Sequence, residues 1–193
     1  MKYDRLVVGY HGCDAAVAER LLRGERFRPS QNDYDWLGHG IYFWEFGYDR
    51  ALQFANEQRT RGKVKEPTVV GALIQLGNCF DLMDVRFTTL LGSLYPPWRA
   101  SLDARGTQLP RNDGKTEDLL LRRLDCAVVN WAMDVLKVDE GVEYDVVRGG
   151  FVEGGPCFEG SGIRRQSHVQ VSVRNPRCIV GVFRPMMEAY GSV

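Results

Sequence analysis

The chain has 193 residues, 44% of them apolar, with 25 basic and 25 acidic side chains and therefore no formal net charge. That length suits one buried core and is short for two, so the expectation is a single domain over residues 1–193. The charge balance excludes a global pull toward nucleic acid or membrane, and leaves only a local basic patch, with Arg164, Arg165, Arg174 and Arg177 as its candidates.

In chain order, Leu6-Val7-Val8 reads as a strand running into Tyr10-His11-Gly12. Asp14 is a candidate N-cap for a helix whose apolar face holds Val17, Leu21 and Leu22, with Gly24 as its stop. A polar loop from Ser30 to Trp36 follows, and Gly38-His39-Gly40 then leads into a short strand, Ile41-Tyr42-Phe43-Trp44. Asp49 is a candidate cap for a second helix that buries Ala51, Leu52, Phe54 and Ala55. Val69–Leu76 is β-branched and bounded by Pro67 and Gly77, as a strand should be.

Pro96, Pro97, Gly106 and Pro110 interrupt the stretch from Phe87 to Gly114, which predicts a short helix and a surface loop. Glu117–Lys137 carries the strongest helical stripe. Tyr144–Arg148 reads as extended, Gly149–Ser167 as a glycine-rich loop, and His168–Val173 as an alternating strand, with Cys178–Phe183 closing the domain. Strands at both ends with helices between them predict an α+β fold on a mostly antiparallel sheet. Cys13, Cys79, Cys126, Cys157 and Cys178 lack C-x-x-C spacing, which argues against a disulfide framework or a zinc site. No stretch approaches a membrane span and Met1–Tyr10 holds no leader-like apolar run, so the expectation is a soluble, cytoplasmic protein.

The chain has three histidines, His11, His39 and His168, each in an unusual segment. Tyr10-His11-Gly12 after the first strand resembles the first signature of the PARP-like (diphtheria-toxin-like) ADP-ribosyltransferases. Gly38-His39-Gly40-Ile41-Tyr42-Phe43 and the helix Arg50–Ala55 resemble the second, and Ser167–Val173 is similar to the third, a late strand near the catalytic acid. The resemblance implies a split-sheet transferase domain flanked by helices, using NAD as co-substrate. Cleaving the nicotinamide–ribose bond develops positive charge on the ribose, as glycoside hydrolysis does. It requires a grip on the carboxamide, an immobilised ribose and polar groups where charge appears.

On that resemblance His11 bonds a ribose hydroxyl, the Gly12 backbone holds the carboxamide, and Tyr42 and Tyr34 stack on the nicotinamide. Ser30 contacts the adenosine side, and Gly40 and His168 complete the NAD-binding set. Alternation puts Tyr42 and Phe43 on opposite faces of their strand, with Tyr42 facing the cleft. The late strand departs from the family because it carries no acid. His168, Gln170 and Ser172 share its polar face, so Gln170 is the candidate for the catalytic glutamate's position, with Tyr42 and His11 as the other catalytic candidates. Glu153, Glu159 and Glu45 are the alternative acids. An uncharged Gln170 favours transfer of one ADP-ribose unit over polymer elongation.

The resemblance extends to bacterial toxins of toxin–antitoxin and phage-defence systems, including mRNA-modifying ADP-ribosyltransferase toxins of toxin–antitoxin–chaperone systems. It implies a macromolecular acceptor, RNA or protein, and an antitoxin partner. The alternatives are an NAD-dependent RNA 2′-phosphotransferase, a catalytically inactive NAD or ADP-ribose binding module, and an interaction protein whose glycine-rich turns only shape loops.

Overall fold

The computed structural model describes residues 2–186, with side chains from residue 5 onward. The elements run β1 (Lys2–Asp14), α1 (Ala15–Leu22), β2 (Ile41–Glu45), α2 (Tyr48–Thr60), β3 (Pro67–Asp81) and α3 (Val85–Ala104). Then come the short β4 (Asn112–Asp113) and β5 (Leu121–Arg122), α4 (Arg123–Asp139), β6 (Val146–Phe151), β7 (His168–Val173) and β8 (Ile179–Phe183). The protein is α+β, built on a mostly antiparallel six-stranded sheet in the order β1-β2-β7-β6-β3-β8. The β3–β6 pair is parallel.

β1 also pairs with β3 along most of its length, so the pairings β1–β2–β7–β6–β3 form a closed circuit. β3 makes this possible through its length. One edge carries β1, while the other carries β8 at Gly71–Ile74 and β6 at Cys79–Asp81. The circuit encloses one apolar core, with Ile41, Phe43, Ile74, Val146, Val171 and Val173 all buried. A second core lies between the outer face of the sheet and the helices, where Phe80 and Val147 meet Phe87 of α3 and Val129, Met133 and Leu136 of α4. β6 therefore buries successive residues on both faces, as strands covered on two sides do.

Several expected elements stand where the sequence puts them. Asp14 caps α1 by accepting from the Ala16 N–H, Gly24 follows the helix at φ +95°, and β7 spans His168–Val173. Others differ for physical reasons. The expected short helix and loop near Pro96 is a 20-residue helix, α3, with Pro96 and Pro97 inside it. Leu91, Tyr95, Trp98 and Leu102 cluster there with Val128 and Leu124 of α4, and this tertiary packing outweighs the proline penalty of about 3 kcal/mol per residue. α4 begins at Arg123 rather than Glu117, because Asn112 Oδ1 accepts from the Leu124 and Asp125 N–H groups at 3.0 and 3.3 Å and satisfies the helix start there. α2 starts at Tyr48 after Gly47, so Asp49 sits in the first turn, where its charge favours the dipole, and is not the cap. Gly149 to Phe151, expected in the loop, belong to β6. Among the described residues no helix is long and apolar enough to cross a membrane.

Candidate functional site

Alternation along β2 and β7 divides their side chains. Ile41, Phe43, Val171 and Val173 enter the enclosed core, while Tyr42, Trp44, His168 and Gln170 line a cleft of about 410 Å³ on the other face. Phe151 and Glu153 extend this wall from the end of β6, and Arg50, Phe54 and Glu57 extend it from α2. The loop between α1 and β2 supplies Ser30, Tyr34, Asp35 and Trp36. Thus His11, Ser30, Tyr34, Gly40, Tyr42, His168 and Gln170, seven of the eight expected site residues, line one cavity.

Gly12 is the exception, since it does not line the cleft. It lies buried in β1 against α2, and a Cβ there would stand 2.0 Å from the Ala51 carbonyl oxygen. Its missing side chain lets α2 close on the sheet, which is a packing role. Gly40 has a similar need at the cleft edge, where a Cβ would come within 2.3 Å of Ser172 Oγ. Its backbone bridges to Ser30 through two hydrogen bonds, Ser30 N to Gly40 O at 2.7 Å and Gly40 N to Ser30 O at 3.1 Å, and so fixes the loop to the start of β2.

His11 Nδ1 lies 2.9 Å from the Tyr42 carbonyl oxygen, which can only accept, so Nδ1 carries the proton and Nε2 holds the free lone pair. Burial pulls the His11 pKa below its usual 6.5, although the Tyr42 carbonyl opposes this, and the ring is neutral at pH 7. The Tyr42 hydroxyl donates to the Gly38 carbonyl at 2.7 Å and accepts from the Leu37 N–H at 2.9 Å. Its ring therefore lines the cleft while its hydroxyl braces the turn before β2. Burial and the nearby Asp35 charge push the Tyr42 pKa well up.

Gln170 is held from across the cleft. Trp36 Nε1 donates to Gln170 Oε1 at 2.6 Å, and the Trp36 ring packs edge-on against Phe151. β7 itself carries no acid, and an acid stands past the end of the adjacent strand. Glu153, two residues beyond β6, lines the cleft and is buried. Arg50 Nη2 donates to its Oε1 and Oε2 at 2.8 and 3.0 Å, and Arg50 Nε lies 3.3 Å from Oε2. The Gly154 N–H, donating to Asp118 Oδ2 at 2.9 Å, and the Gln166 N–H, donating to Glu153 O at 3.1 Å, fix the backbone on either side. His168 Nδ1 is 2.7 Å from the Gln166 carbonyl and 3.5 Å from Glu153 Oε2. Burial lowers its pKa, with the Gln166 carbonyl and Glu153 opposing.

Three buried side-chain atoms of the cleft residues, Trp44 Nε1, Arg50 Nη1 and His168 Nε2, have no hydrogen-bond partner among the described residues. Buried polar atoms are rarely left without a hydrogen bond, and Arg50 Nη1 has only Glu57 Oε1 nearby, at 3.6 Å.

The other two alternative acids are elsewhere. Glu45 points to the opposite face of β2 from Tyr42 and Trp44, where Arg148 Nε donates to its Oε2 at 2.6 Å and Arg148 Nη1 also contacts Asp81. Glu159 is exposed in the loop between β6 and β7 and does not line the cleft. The four arginines expected as one basic patch separate as well. Arg174 and Arg177 line a second cavity, and Arg164 and Arg165 lie on the β6–β7 loop.

Sequence reasoning did not single out Arg50, Trp36, Trp44 or Phe54 as site residues. The available signal was that Trp44 shares a strand face with Tyr42.

No protein-family model and no solved structure matches the chain. It is similar to an uncharacterized protein of Methanocaldococcus jannaschii, 30% identical over 98 residues. The match covers 49% of this chain and 45% of that protein, so the chain spans about half the length of the curated relative it matches.

Proposed function

We propose that the protein is an NAD-dependent mono-ADP-ribosyltransferase that cleaves the nicotinamide–ribose bond of NAD and transfers ADP-ribose to a macromolecular acceptor, RNA or protein. The observation that carries this reading is the convergence, on one cavity, of His11, Tyr42 and Gln170 with a buried carboxylate, Glu153. The volume is that of an ordinary ligand pocket, about 300–1,000 Å³. Arg28, Arg61 and Lys63 line the same cavity and suit the diphosphate of NAD.

His11 Nε2 accepts a hydrogen bond from a ribose hydroxyl, and the Tyr42 and Phe54 rings form walls for the nicotinamide. Gln170, oriented by Trp36, positions the ribose. Glu153 supplies negative charge where the ribose becomes cationic as the bond breaks. The bonding pair leaves with nicotinamide as a neutral amide, and the acceptor's nucleophile takes its place on the ribose carbon and loses its proton to solvent. A carboxylate anchored by Arg50, beside a neutral Gln170, favours one transfer rather than elongation. The reading places the protein among intracellular toxins of toxin–antitoxin or phage-defence systems, with an antitoxin as partner.

NAD labelled in the adenosine moiety, incubated with purified protein and either total RNA or cell lysate, tests the proposal. Label on RNA or protein, with free nicotinamide released in step, is the expected result, and bound NAD that stays intact is the opposing one. Two observations favour a second reading, a binding module that holds NAD without cleaving it. Gln170 Oε1 is already occupied by Trp36, and the Glu153 charge is matched by Arg50.

A further inference from the structure

A second cavity, of about 480 Å³, lies between α4 and the turn that follows β7. Gly40 lines both cavities, so the two sites are neighbours. The most informative residue in the second is Arg174. It is half-buried, and its Nη1 donates to the His39 carbonyl and to Asn130 Oδ1, each at 3.2 Å. Among the described residues no carboxylate lies within 4.0 Å of it, which sets it apart from the other arginines withdrawn from solvent. Arg50 is matched by Glu153, and Arg148 by Glu45 and Asp81. Burial also pulls the Arg174 pKa down, although the nearby charges of Asp134 and Glu143 oppose it. A guanidinium in this state is costly unless an anion completes it.

Arg177 lines the same cavity, is exposed, and likewise has no carboxylate partner among the described residues. Of the remaining charged side chains there, Lys137 and Glu143 neutralise one another at 2.6 Å, which leaves Asp134 as the single opposing charge. Met133, Tyr144, Pro29 and Pro176 supply an apolar wall.

We propose that this cavity binds a phosphate ester, its phosphate held between Arg174 and Arg177 and its organic body lying along the Met133–Tyr144 wall. Two planar guanidinium forks match the several acceptor oxygens of a phosphate and outweigh the lone Asp134. The apolar wall is the reason for an ester over inorganic phosphate. The proposal stands on this cavity alone and does not require the transferase reading of the neighbouring cleft.

Calorimetric titration of the purified protein with phenyl phosphate, phenol and inorganic phosphate tests it, using wild type, Arg174→Gln, Arg177→Gln and the cleft variant Arg61→Gln. Phenyl phosphate, which is no fragment of NAD, should bind while phenol binds at least tenfold more weakly. Phenyl phosphate affinity should fall at least tenfold in Arg174→Gln and in Arg177→Gln, stay unchanged in Arg61→Gln, and exceed that of inorganic phosphate. Arg177 is exposed, so its variant keeps the test decisive if loss of the Arg174 bonds to His39 and Asn130 unfolds the chain. Unchanged phenyl phosphate binding in Arg177→Gln, phenol or inorganic phosphate binding as tightly as phenyl phosphate, or a loss confined to Arg61→Gln would overturn the proposal.

Discussion

Arg50, near the start of α2, and Glu153, just past β6, are joined side chain to side chain, with Arg50 Nη2 2.8 and 3.0 Å from the two carboxylate oxygens. Side-chain exposure is 13% for Arg50 and 7% for Glu153, so the pair is screened little by water. Trp44 adds a face for the guanidinium, whose centre stands 5.6 Å from the ring. This contact fixes α2 to the β6–β7 loop and sets the carboxylate at the cleft wall.

Arg50→Ala leaves a buried carboxylate without its partner. The expected loss is about 3 kcal/mol of stability, read as a shift in the denaturant midpoint. A midpoint unchanged from wild type would show that the pair does not organise the cleft.

Glu45 and Glu153 are both buried acids paired with arginine, yet they face opposite sides of the sheet. Glu45→Gln should lower stability by about 3 kcal/mol through the Arg148 network while nicotinamide release per folded molecule stays within twofold of wild type. A large fall in release at intact fold would return Glu45 to the site.

Tyr42 does two things that substitutions can separate. Tyr42→Phe keeps the ring but leaves the Leu37 N–H and Gly38 carbonyl without their partner, at a cost of about 1–3 kcal/mol, and should keep NAD affinity within about threefold. Tyr42→Ala should lose that stability and at least tenfold in NAD affinity. Equal NAD binding by the two variants would remove the ring from the nicotinamide site.

Burial lowers the pKa of both His11 and His168 from 6.5. Below pH 6.5 the unfolded chain therefore takes up protons that the folded chain refuses, and stability falls as pH drops from 6.5 toward the lowered folded values. Above 6.5 both rings are neutral in either state and contribute no slope. Each histidine contributes at most about 1.4 kcal/mol per pH unit. Denaturation midpoints of His11→Gln and His168→Gln between pH 5 and 8 should show a shallower acid limb than wild type, and an unchanged limb would contradict the burial of the ring concerned.

Much of the cleft's β2–β7 wall was legible because strand alternation is local. Once Phe43 is apolar and buried, Tyr42 must face the other way, and the same period puts His168 beside Gln170. Asp14 and Gly24 were legible for the same reason, since caps are written in a few adjacent residues. The Trp36–Gln170 bond spans 134 positions and the Arg50–Glu153 pair 103, and no local pattern announces contacts at such separations. Glu153 also looked like one loop acid among several, because its burial depends on β6 running on through Phe151 and on Asp118 holding Gly154. α3 was hidden by Pro96 and Pro97, whose local cost is plain in sequence while the packing against α4 that offsets it is not.

The most direct test of the transferase reading is nicotinamide release from NAD by wild type, Glu153→Gln and Gln170→Ala, with NAD affinity measured on the same preparations. The account predicts release by wild type, a fall of about 10²-fold or more in turnover for Glu153→Gln and a smaller fall for Gln170→Ala, with NAD affinity changed only a few-fold in each. Release by Glu153→Gln at the wild-type rate would contradict the role of the carboxylate, and NAD bound by wild type without any release would contradict the transferase itself.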